Sequence, residues 1–557
     1  MKPVDALLHI LAEEGVRRIF GNPGTTELPL TDRLAEASDM DYLLGVHELA
    51  VVAMADGYAR MTGRPSFVNL HVAAGTANGA LGMLNASRSR TPMVLVAGQQ
   101  DRRHLIQDPM LSGDTVGIAS AVAKQAFDVQ HAADLPVLLR RAFTLATTPP
   151  QGPVFLSVPM DLLAEDTDVP VPGRSTIAPP GPATGIAEAA RLLTAARSPA
   201  IIAGDGVGRD GAVRELTELA EALGATVYPQ PMHDGVNFPG THPLLAPMPA
   251  PRNAAIRAAL TGRDTVFVVG THAFMPHHYT PGPAIPEGVT VLQLDTDPTE
   301  IGRNFAVRAG LVGAIAPTLA ALTAALGPFP DRAERTAATG ARIAAERAAV
   351  DAEALAAYGG SPLHPLAAAH AIAAGLPPGA VVVDEAITVG VHLRKVFRPD
   401  RPRSFVHTIG GGLGWGIGAA IGTRLGAPER PVVAVLGDGS AMFGLQGLWS
   451  AARYQVPVLF TVMNNGEYRT LKDTLDNERS RSTRLGRYVG LDLHPPDLDW
   501  RSAAAFFGVR AVRAQDAGDL REIVASAAEL DAPLLVDVPV HAHETYVSRE
   551  DPPTIKR

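Results

Sequence analysis

Two short polar motifs, each directly after an apolar run, contain the residues best suited to hold a metal ion and a phosphate. Residues 431–436 predict a buried parallel strand, and Asp438 follows it in the turn Gly437-Asp438-Gly439-Ser440. Residues 456–463 predict the next strand, which ends just before Asn465, 27 positions after Asp438. A helix between them makes a βαβ unit, so both strand ends meet at one edge of a sheet.

This edge offers the donors that a metal-bound phosphate needs. A carboxylate, an amide oxygen and a nearby main-chain carbonyl suit octahedral Mg²⁺, and a helix N-terminus favours phosphate. The unit is therefore predicted to bind a metal-bridged diphosphate. One helix is expected after the turn, with an apolar face formed by Met442, Phe443, Leu445, Leu448, Trp449 and Ala452.

The sequence Gly-Asp-Gly-Ser, followed by a helix and then Asn464-Asn465, resembles the thiamin diphosphate signature of the 2-oxo acid decarboxylase and acetolactate synthase superfamily. The alternative is a tight turn followed by an unrelated Asn-Gly turn. The resemblance implies that Asp438, Asn465 and the main-chain carbonyl of Glu467 bind Mg²⁺. It also implies that the cofactor is contacted by Gly437, Asp438, Gly439, Ser440, Asn465, Gly466 and Tyr468.

Within this superfamily the chain is most similar to benzoylformate decarboxylase and its relatives, over nearly the whole length. The matching segments are residues 22–24, 27–29, 69–71, 73–76, 97–100, 151–153 and 411–414.

Strands and helices alternate along the chain, which predicts an α/β protein with doubly wound parallel sheets. The resemblance implies three such domains: the first binds the pyrimidine of the cofactor, the second is central, and the third binds the diphosphate. The predicted segments are a pyrimidine-binding domain 1–169, a linker 170–184, a central domain 185–328, a helical connector 329–360, a diphosphate-binding domain 361–540 and a polar tail 541–557.

The resemblance assigns catalytic roles to four residues. Glu48 matches the glutamate that stabilises the imino form of the cofactor's aminopyrimidine, although a helix-starting glutamate is also favoured by the helix dipole. His71 and His277, with His278 as the alternative to His277, match the histidines that transfer protons near neutral pH. Thr25 occupies the position of a substrate-binding serine.

The same resemblance suggests which residues support the cofactor and which line the substrate pocket. Leu413, between glycines, matches the apolar residue that holds the cofactor bent, although it could be an ordinary core leucine. The predicted substrate pocket contains Met110, Leu111, His407, Thr470 and Leu471. His407 and Thr474 stand where the benzoylformate enzyme has phenylalanines, so the natural substrate is not expected to carry a benzoyl group. The basic residues of segment 469–487 predict either a solvated loop or a site for a larger anionic substrate.

Composition excludes several other classes. The net charge of −9 gives no indication of nucleic acid or of an anionic membrane as partner, and the absence of cysteine excludes disulfides and thiol catalysis. No signal peptide or membrane span is predicted, so a cytoplasmic location is expected. Residues 204–208 resemble a dinucleotide loop without the full G-x-G-x-x-G spacing, and we expect no FAD.

The sequence thus predicts a Mg²⁺- and thiamin diphosphate-dependent lyase that decarboxylates a 2-oxo acid to an aldehyde. One alternative is a carboligase of the acetolactate synthase type, which joins the decarboxylated intermediate to a second carbonyl compound. Another is an inactive relative that only binds the cofactor. The resemblance further implies a homodimer or homotetramer, in which the first domain of one chain faces the third domain of its partner.

Overall fold

The computed structural model describes residues 1–37, 39–328 and 332–542. Within these residues the chain forms three sheets, and every strand pair in them is parallel. Helices cover the sheets on both faces, so most strands are buried along their whole length. The predicted fold class, three doubly wound α/β domains, is confirmed.

The first sheet has six strands in the order β2-β1-β3-β4-β6-β5. The strands are β1 Arg18–Gly21, β2 Asp41–Leu44, β3 Ser66–Leu70, β4 Met93–Gln99, β5 Gln125–Asp128 and β6 Pro153–Pro159. The helices are α1 Pro3–Glu13, α2 Leu28–Leu34, α3 Glu48–Thr62, α4 Val72–Arg88, α5 Thr115–Ser120, α6 Asp134–Thr147 and α7 Met160–Ala164. Single 3₁₀ turns occur at Thr25–Glu27 and Leu105–Gln107.

The second sheet has five strands in the order β11-β10-β9-β7-β8. The strands are β7 Pro199–Ala203, β8 Thr226–Pro229, β9 Thr265–Val269, β10 Thr290–Asp295 and β11 Ala309–Val312. The helices are α8 Ile186–Thr194, α9 Asp205–Arg209, α10 Val213–Leu223, α11 Asn253–Ala259 and α12 Ile315–Ala325, with a 3₁₀ turn at Pro298–Glu300. The long helix α13, Arg332–Ala356, lies in the predicted connector.

The third sheet has six strands in the order β13-β12-β14-β15-β17-β16. The strands are β12 Val381–Glu385, β13 Phe405–His407, β14 Val432–Gly437, β15 Val458–Asn464, β16 Arg510–Arg513 and β17 Leu534–Pro539. The helices are α14 Pro365–Gly375, α15 Ile387–Val396, α16 Gly416–Gly426, α17 Asp438–Phe443, α18 Gly447–Arg453, α19 Arg469–Asn477, α20 Arg481–Leu485, α21 Trp500–Phe506 and α22 Ala517–Ala525, with a 3₁₀ turn at Ser526–Ala528.

The segment after the Asp438 turn differs from the expectation of one helix. It forms two short helices, α17 and α18, and the chain bends between them at Gly444. Gly444 packs so closely on the main chain of Gly414 that a side chain at this position would overlap it. Because of the bend, Met442 and Phe443 lie on the surface rather than on an apolar core face.

The first and third domains of the chain pack together through α3 and α16. A Cβ on Gly422 would overlap the main-chain carbonyl of Met54, so the two helices approach at backbone distance. The indole Nε1 of Trp415, just before α16, donates to the Oδ2 of Asp56 in α3 at 2.6 Å. Both side chains of this pair are fully buried. The first and third domains, which contain most of the predicted site residues, are therefore tightly packed against each other within the chain.

Domain limits stay a prediction, and most of the predicted tail, 541–557, lies outside the described residues. Residues 165–184 contain no helix or strand, in keeping with a linker there. Among the described helices, none is both long and apolar enough to cross a membrane.

Candidate active site

The loops that follow β14 and β15 are joined by the carboxylate of Asp438. These strands are adjacent and in parallel register, with Gly437 opposite Met463. The Oδ2 of Asp438 accepts hydrogen bonds from the main-chain N–H groups of Asn465, at 3.0 Å, and Gly466, at 2.6 Å. Its Oδ1 accepts from the N–H of Gly439 at 2.8 Å. Asp438 and Asn465 are therefore neighbours, as the βαβ unit predicts.

The chemistry of these groups fits a hydrated divalent cation. Burial raises the pKa of Asp438, and the three N–H donors oppose this shift without cancelling it. A nearby cation would favour the charged form. The carboxylate of Glu467 pairs with Lys472. Among the described residues no group of three or more His, Cys, Asp or Glu side chains is arranged for a metal, so a cation here would rely on mixed oxygen donors.

A cavity of about 720 Å³ opens beside Asp438, between the central and third domains. Twelve of the predicted site residues line it, namely His277, His407, Leu413, Gly437, Asp438, Gly439, Ser440, Asn465, Glu467, Tyr468, Thr470 and Leu471. Among the described residues, none from the first domain lines this cavity. Glu48, His71, Thr25, Met110 and Leu111 therefore all lie outside it.

Glu48 begins α3 and is buried. The Nδ2 of Asn22 donates to its Oε1, and the Nδ2 of Asn78 donates to its Oε2, each at 3.0 Å. His47 caps the helix by accepting the N–H of Leu49 at 3.2 Å. The two amides hold the carboxyl group in one orientation.

His71 lies beside Glu27, to which the sequence assigned no role. The Nδ1 of His71 is 2.8 Å from the Oε2 of Glu27 and 3.3 Å from the hydroxyl of Thr26. Glu27 is buried, and its Oε2 also accepts the N–H of Gly24 at 2.7 Å. This bond is half of a capping box, because Glu27 lies three residues after Gly24, and that spacing is the signal that the sequence offered. Thr25, in the same turn, is exposed.

His277 lies on a loop of the central domain and faces the cavity. The main-chain N–H of His277 donates to the carbonyl of Pro251 at 2.8 Å, which fixes the loop. Its Nδ1 lies 3.0 Å from the Nε2 of His278. Burial lowers the pKa of His278, and the charges of His277 and Arg252 lower it further. His277 thus lines the cavity, and His278 contacts its imidazole ring.

Two of the predicted pocket positions have other contacts. His407 is buried, and its Nδ1 lies 2.8 Å from the main-chain oxygen of Asp384. Burial, assisted by the charge of Arg394, lowers the pKa of His407 well below its usual range. Thr474 lies outside the cavity lining, and its hydroxyl donates to the carbonyl of Thr470 within α19.

Two of the six basic residues in segment 469–487 form ion pairs with nearby acids. Arg469 pairs with Asp473 and with Asp476, and Lys472 pairs with Glu467 and Asp492. The remaining arginines of the segment, Arg479, Arg481, Arg484 and Arg487, are exposed. The contacts favour the solvated-loop interpretation over a site for a large anionic substrate.

Comparison with protein families identifies the chain. Models described as thiamine pyrophosphate enzyme, N-terminal TPP binding domain, central domain and C-terminal TPP binding domain match residues 1–118, 186–322 and 388–538. Benzoylformate decarboxylase of Pseudomonas aeruginosa is 35% identical over 555 residues, which cover 98% of this chain and 100% of that protein. The chain belongs to the thiamine pyrophosphate enzymes.

Thiamine pyrophosphate is another name for thiamin diphosphate, so the predicted superfamily is confirmed. A putative acetolactate synthase large subunit of Mycobacterium tuberculosis is 29% identical, over 97% of this chain and 99% of that protein. The structure of a thiamine diphosphate-dependent 4-hydroxybenzoylformate decarboxylase from Rhodococcus jostii superposes with a TM-score of 0.86 at 29% identity, over 98% of this chain and 100% of that one. The protein is thus a thiamine pyrophosphate enzyme of the decarboxylase and acetolactate synthase family.

This thiamine pyrophosphate enzyme has further cavity residues that the sequence reasoning missed. Asp384 and Glu385 end β12 beside the Asp438 strand, and Arg394 follows in α15. Burial raises the pKa of Asp384 to about 6, although the charge of Arg394 opposes it. The available signal was an acidic pair directly after the apolar run 380–383, the same pattern that drew attention to Asp438.

Proposed function

We propose that this enzyme decarboxylates a 2-oxo acid to an aldehyde with thiamin diphosphate and Mg²⁺. The observation that carries the proposal is the joining of Asp438 and Asn465 at the wall of a cavity that Leu413 also lines. The cofactor, when bound, supplies the electron sink for the electrons released with carbon dioxide. The protein's own residues would bind the cofactor and the substrate, orient them and transfer protons.

The third domain would hold the cofactor by its diphosphate. Asp438, Asn465 and the carbonyl of Glu467 would bind Mg²⁺, and the hydroxyl of Ser440 lies close to them on the cavity wall. Ser440 donates to the carbonyl of Glu385 at 2.8 Å, so the turn is anchored to β12. Leu413, at the same wall, would support the organic part of the cofactor.

The first domain would provide proton chemistry. Glu48, held by Asn22 and Asn78, would donate a hydrogen bond to the pyrimidine ring. Since Nδ1 of His71 is engaged by Glu27, its Nε2 is the atom that would exchange a proton with substrate. The hydroxyl of Thr25 would bind the substrate carboxylate, and His277 would serve as a second proton donor from the central domain.

We infer that these two sets of groups come from different chains. No first-domain residue that the structure describes lines the cavity beside Asp438, yet the pyrimidine needs a carboxyl group such as Glu48. A partner subunit that places its first domain over this cavity would complete the site. We therefore propose a homodimer with two shared sites, or a homotetramer built from such dimers.

A substrate screen tests the proposed activity. The purified protein, with thiamin diphosphate and Mg²⁺, is incubated with aromatic, branched and acidic 2-oxo acids, and carbon dioxide and aldehyde are measured. At least one class should yield equimolar aldehyde and carbon dioxide, and the Glu48→Gln variant should release neither at a comparable rate. Cofactor binding without turnover of any class would overturn the proposed reaction and favour the inactive relative.

A second candidate is supported by the acetolactate synthases among the relatives. In this case the protein would join the decarboxylated intermediate to a second carbonyl compound. Adding an acceptor aldehyde or 2-oxo acid to the same assay separates the two. A hydroxyketone that replaces the aldehyde product indicates carboligation, whereas unchanged aldehyde yield indicates the lyase.

A further inference from the structure

Asn85 connects the first and third domains through the main chain of a single residue, Gly412. It lies in α4 and is fully buried. Its Nδ2 donates to the carbonyl of Gly412 at 2.9 Å, and its Oδ1 accepts the N–H of Gly412 at 3.0 Å. The two bonds fix the amide in one orientation, because the opposite orientation would set donor against donor. The side chain of Asn85, in the first domain, thus binds both polar main-chain atoms of Gly412, in the third domain.

The loop around Gly412 is shaped to this contact. A Cβ on Gly412 would lie 2.6 Å from Leu81 and 2.9 Å from the Oδ1 of Asn85. A Cβ on Gly410 would lie 2.6 Å from the Cα of Asn85. The loop reaches α4 only because it has no side chains at these two positions.

Leu413 lies directly between this contact and a second one. On its C-terminal side, Glu385 accepts the N–H of Trp415 through Oε1 and the N–H of Gly416 through Oε2, each at 2.9 Å. Leu413 itself faces the cavity. Its position relative to the Asp438 turn is therefore set by one polar side chain on each side, of which Asn85 comes from the other domain.

We propose that Asn85 is a positioning residue that fixes Leu413 against the organic part of the cofactor. The inference rests on the proposed cofactor role of the cavity. Asn85 has no part in holding the diphosphate, which is the task of Asp438 and Asn465 at the ends of β14 and β15. Loss of the Asn85 contact therefore weakens binding of the whole cofactor while it leaves binding of a bare diphosphate unchanged.

The test compares two ligands in three proteins. In Asn85→Asp the side chain keeps its shape and an acceptor for the N–H of Gly412, but it has no donor for the carbonyl, and two oxygens then face each other. Met83→Ala is the control, because it creates a cavity in the core on the same helix and does not alter the contact with Gly412. Calorimetry in Mg²⁺ measures the dissociation constants of thiamin diphosphate and of inorganic pyrophosphate for the wild type and for both variants.

For Asn85→Asp we expect the dissociation constant of thiamin diphosphate to rise about tenfold, with that of pyrophosphate changed by less than about twofold. Met83→Ala should lower the melting temperature and leave both constants unchanged. If Asn85→Asp does not fold, Asn85→Ser, which removes both bonds without adding charge, takes its place. Equal weakening of both ligands, or of neither, would overturn the proposed role. A wild type that binds pyrophosphate but not thiamin diphosphate would instead overturn the proposed cofactor.

Discussion

The imidazole Nδ1 of His71 lies 2.8 Å from the Oε2 of Glu27, which is buried and 44 residues earlier in the chain. The same carboxylate also accepts main-chain N–H groups of Gly24, at 2.7 Å, and Gly98, at 3.0 Å. One carboxylate thus ties the segments after β1 and β3 to the end of β4, and it orients the histidine that we propose to transfer a proton.

Replacing Glu27 with glutamine should lower kcat by about ten- to a hundredfold, because the amide nitrogen would face a donor whichever way it is turned. Steady-state kinetics with a thermal melt of each protein checks this prediction. Glu36→Gln is the matched control, since Glu36 is exposed and pairs only at the surface. An unchanged kcat in a folded Glu27→Gln variant would contradict the role given to this pair.

Removing the carboxylate of the proposed metal site should weaken cofactor binding while it leaves the fold intact. In Asp438→Ala we expect the affinity for thiamin diphosphate with Mg²⁺ to fall at least about a hundredfold, about 2.7 kcal/mol, because a charged ligand is lost beside a diphosphate. Asp516→Ala removes an exposed helix cap from the same domain and should leave binding unchanged. Calorimetry that shows wild-type affinity in Asp438→Ala would refute the metal assignment.

The pKa of Asp384 predicts a pH-dependent stability. Burial raises this pKa from 3.8 to about 6, so between these values the folded protein holds a proton that the unfolded chain has lost. The free energy of unfolding contributed by this group therefore falls as pH rises through this window, by about 3 kcal/mol at most. Asp384→Asn should remove this part of the pH dependence.

Urea denaturation at about pH 4 and about pH 7 measures this effect. The control is Asp531→Asn, an exposed carboxyl group of the same domain, which should keep the wild-type pH dependence. Identical pH slopes for the wild type and Asp384→Asn would show that Asp384 is already charged at low pH in the folded protein.

Mixed dimers test whether the sites are shared between chains. Glu48→Gln and Asp438→Ala chains should each be inactive alone, because each lacks one half of every site. After subunit exchange, each mixed dimer would contain one site with both defects and one site with neither, so activity should reappear. The measurement is activity against the fraction of mixed dimer. Exchange without recovered activity, or a fully active monomer, would contradict the shared-site proposal.

We expect no flavin in the purified protein. The start of α9, which follows β7, is bound to the residue after β9, since the N–H of Gly206 donates to the carbonyl of Gly270 at 2.7 Å. The neighbouring Asp205 is already engaged by the Nδ2 of Asn237 at 2.7 Å. Two of the groups that a nucleotide would meet at this end of the sheet are therefore already bound within the protein. A yellow preparation with a flavin absorbance band would contradict this expectation.

Residues that lie in one local unit can be placed together from the sequence, whereas residues brought together by distant loops cannot. Asp438 and Asn465 belong to one βαβ unit, so strand topology alone places them together. The Glu27–His71 pair and the Asn85–Gly412 contact depend on which loops and domains meet, and apolar periodicity carries no information about that. Asn85 and Gly412 are 327 residues apart in the chain.

Side-chain direction sets a second limit. The positions of His407 and Thr474 suggested pocket walls. His407 does line the cavity, although its ring is also bound to the main chain of Asp384, whereas Thr474 lies outside the lining and bonds to its own helix. Met110 is 84% exposed on its loop, away from the cavity of its own chain. The role of Met110 in a substrate pocket stays a prediction, because it requires a partner subunit. The cytoplasmic location also stays a prediction.

The packing of α3 on α16 has a consequence for how the protein is made. Of the 15 residues of α3, all but three are buried, and part of that burial comes from α16, far later in the chain. During synthesis at ~5–20 residues per second, α3 therefore waits on the order of 20–70 s for α16 to leave the ribosome. During that interval its apolar face is open to other nascent chains, so expression yield should depend on translation speed and on chaperones that cover this helix.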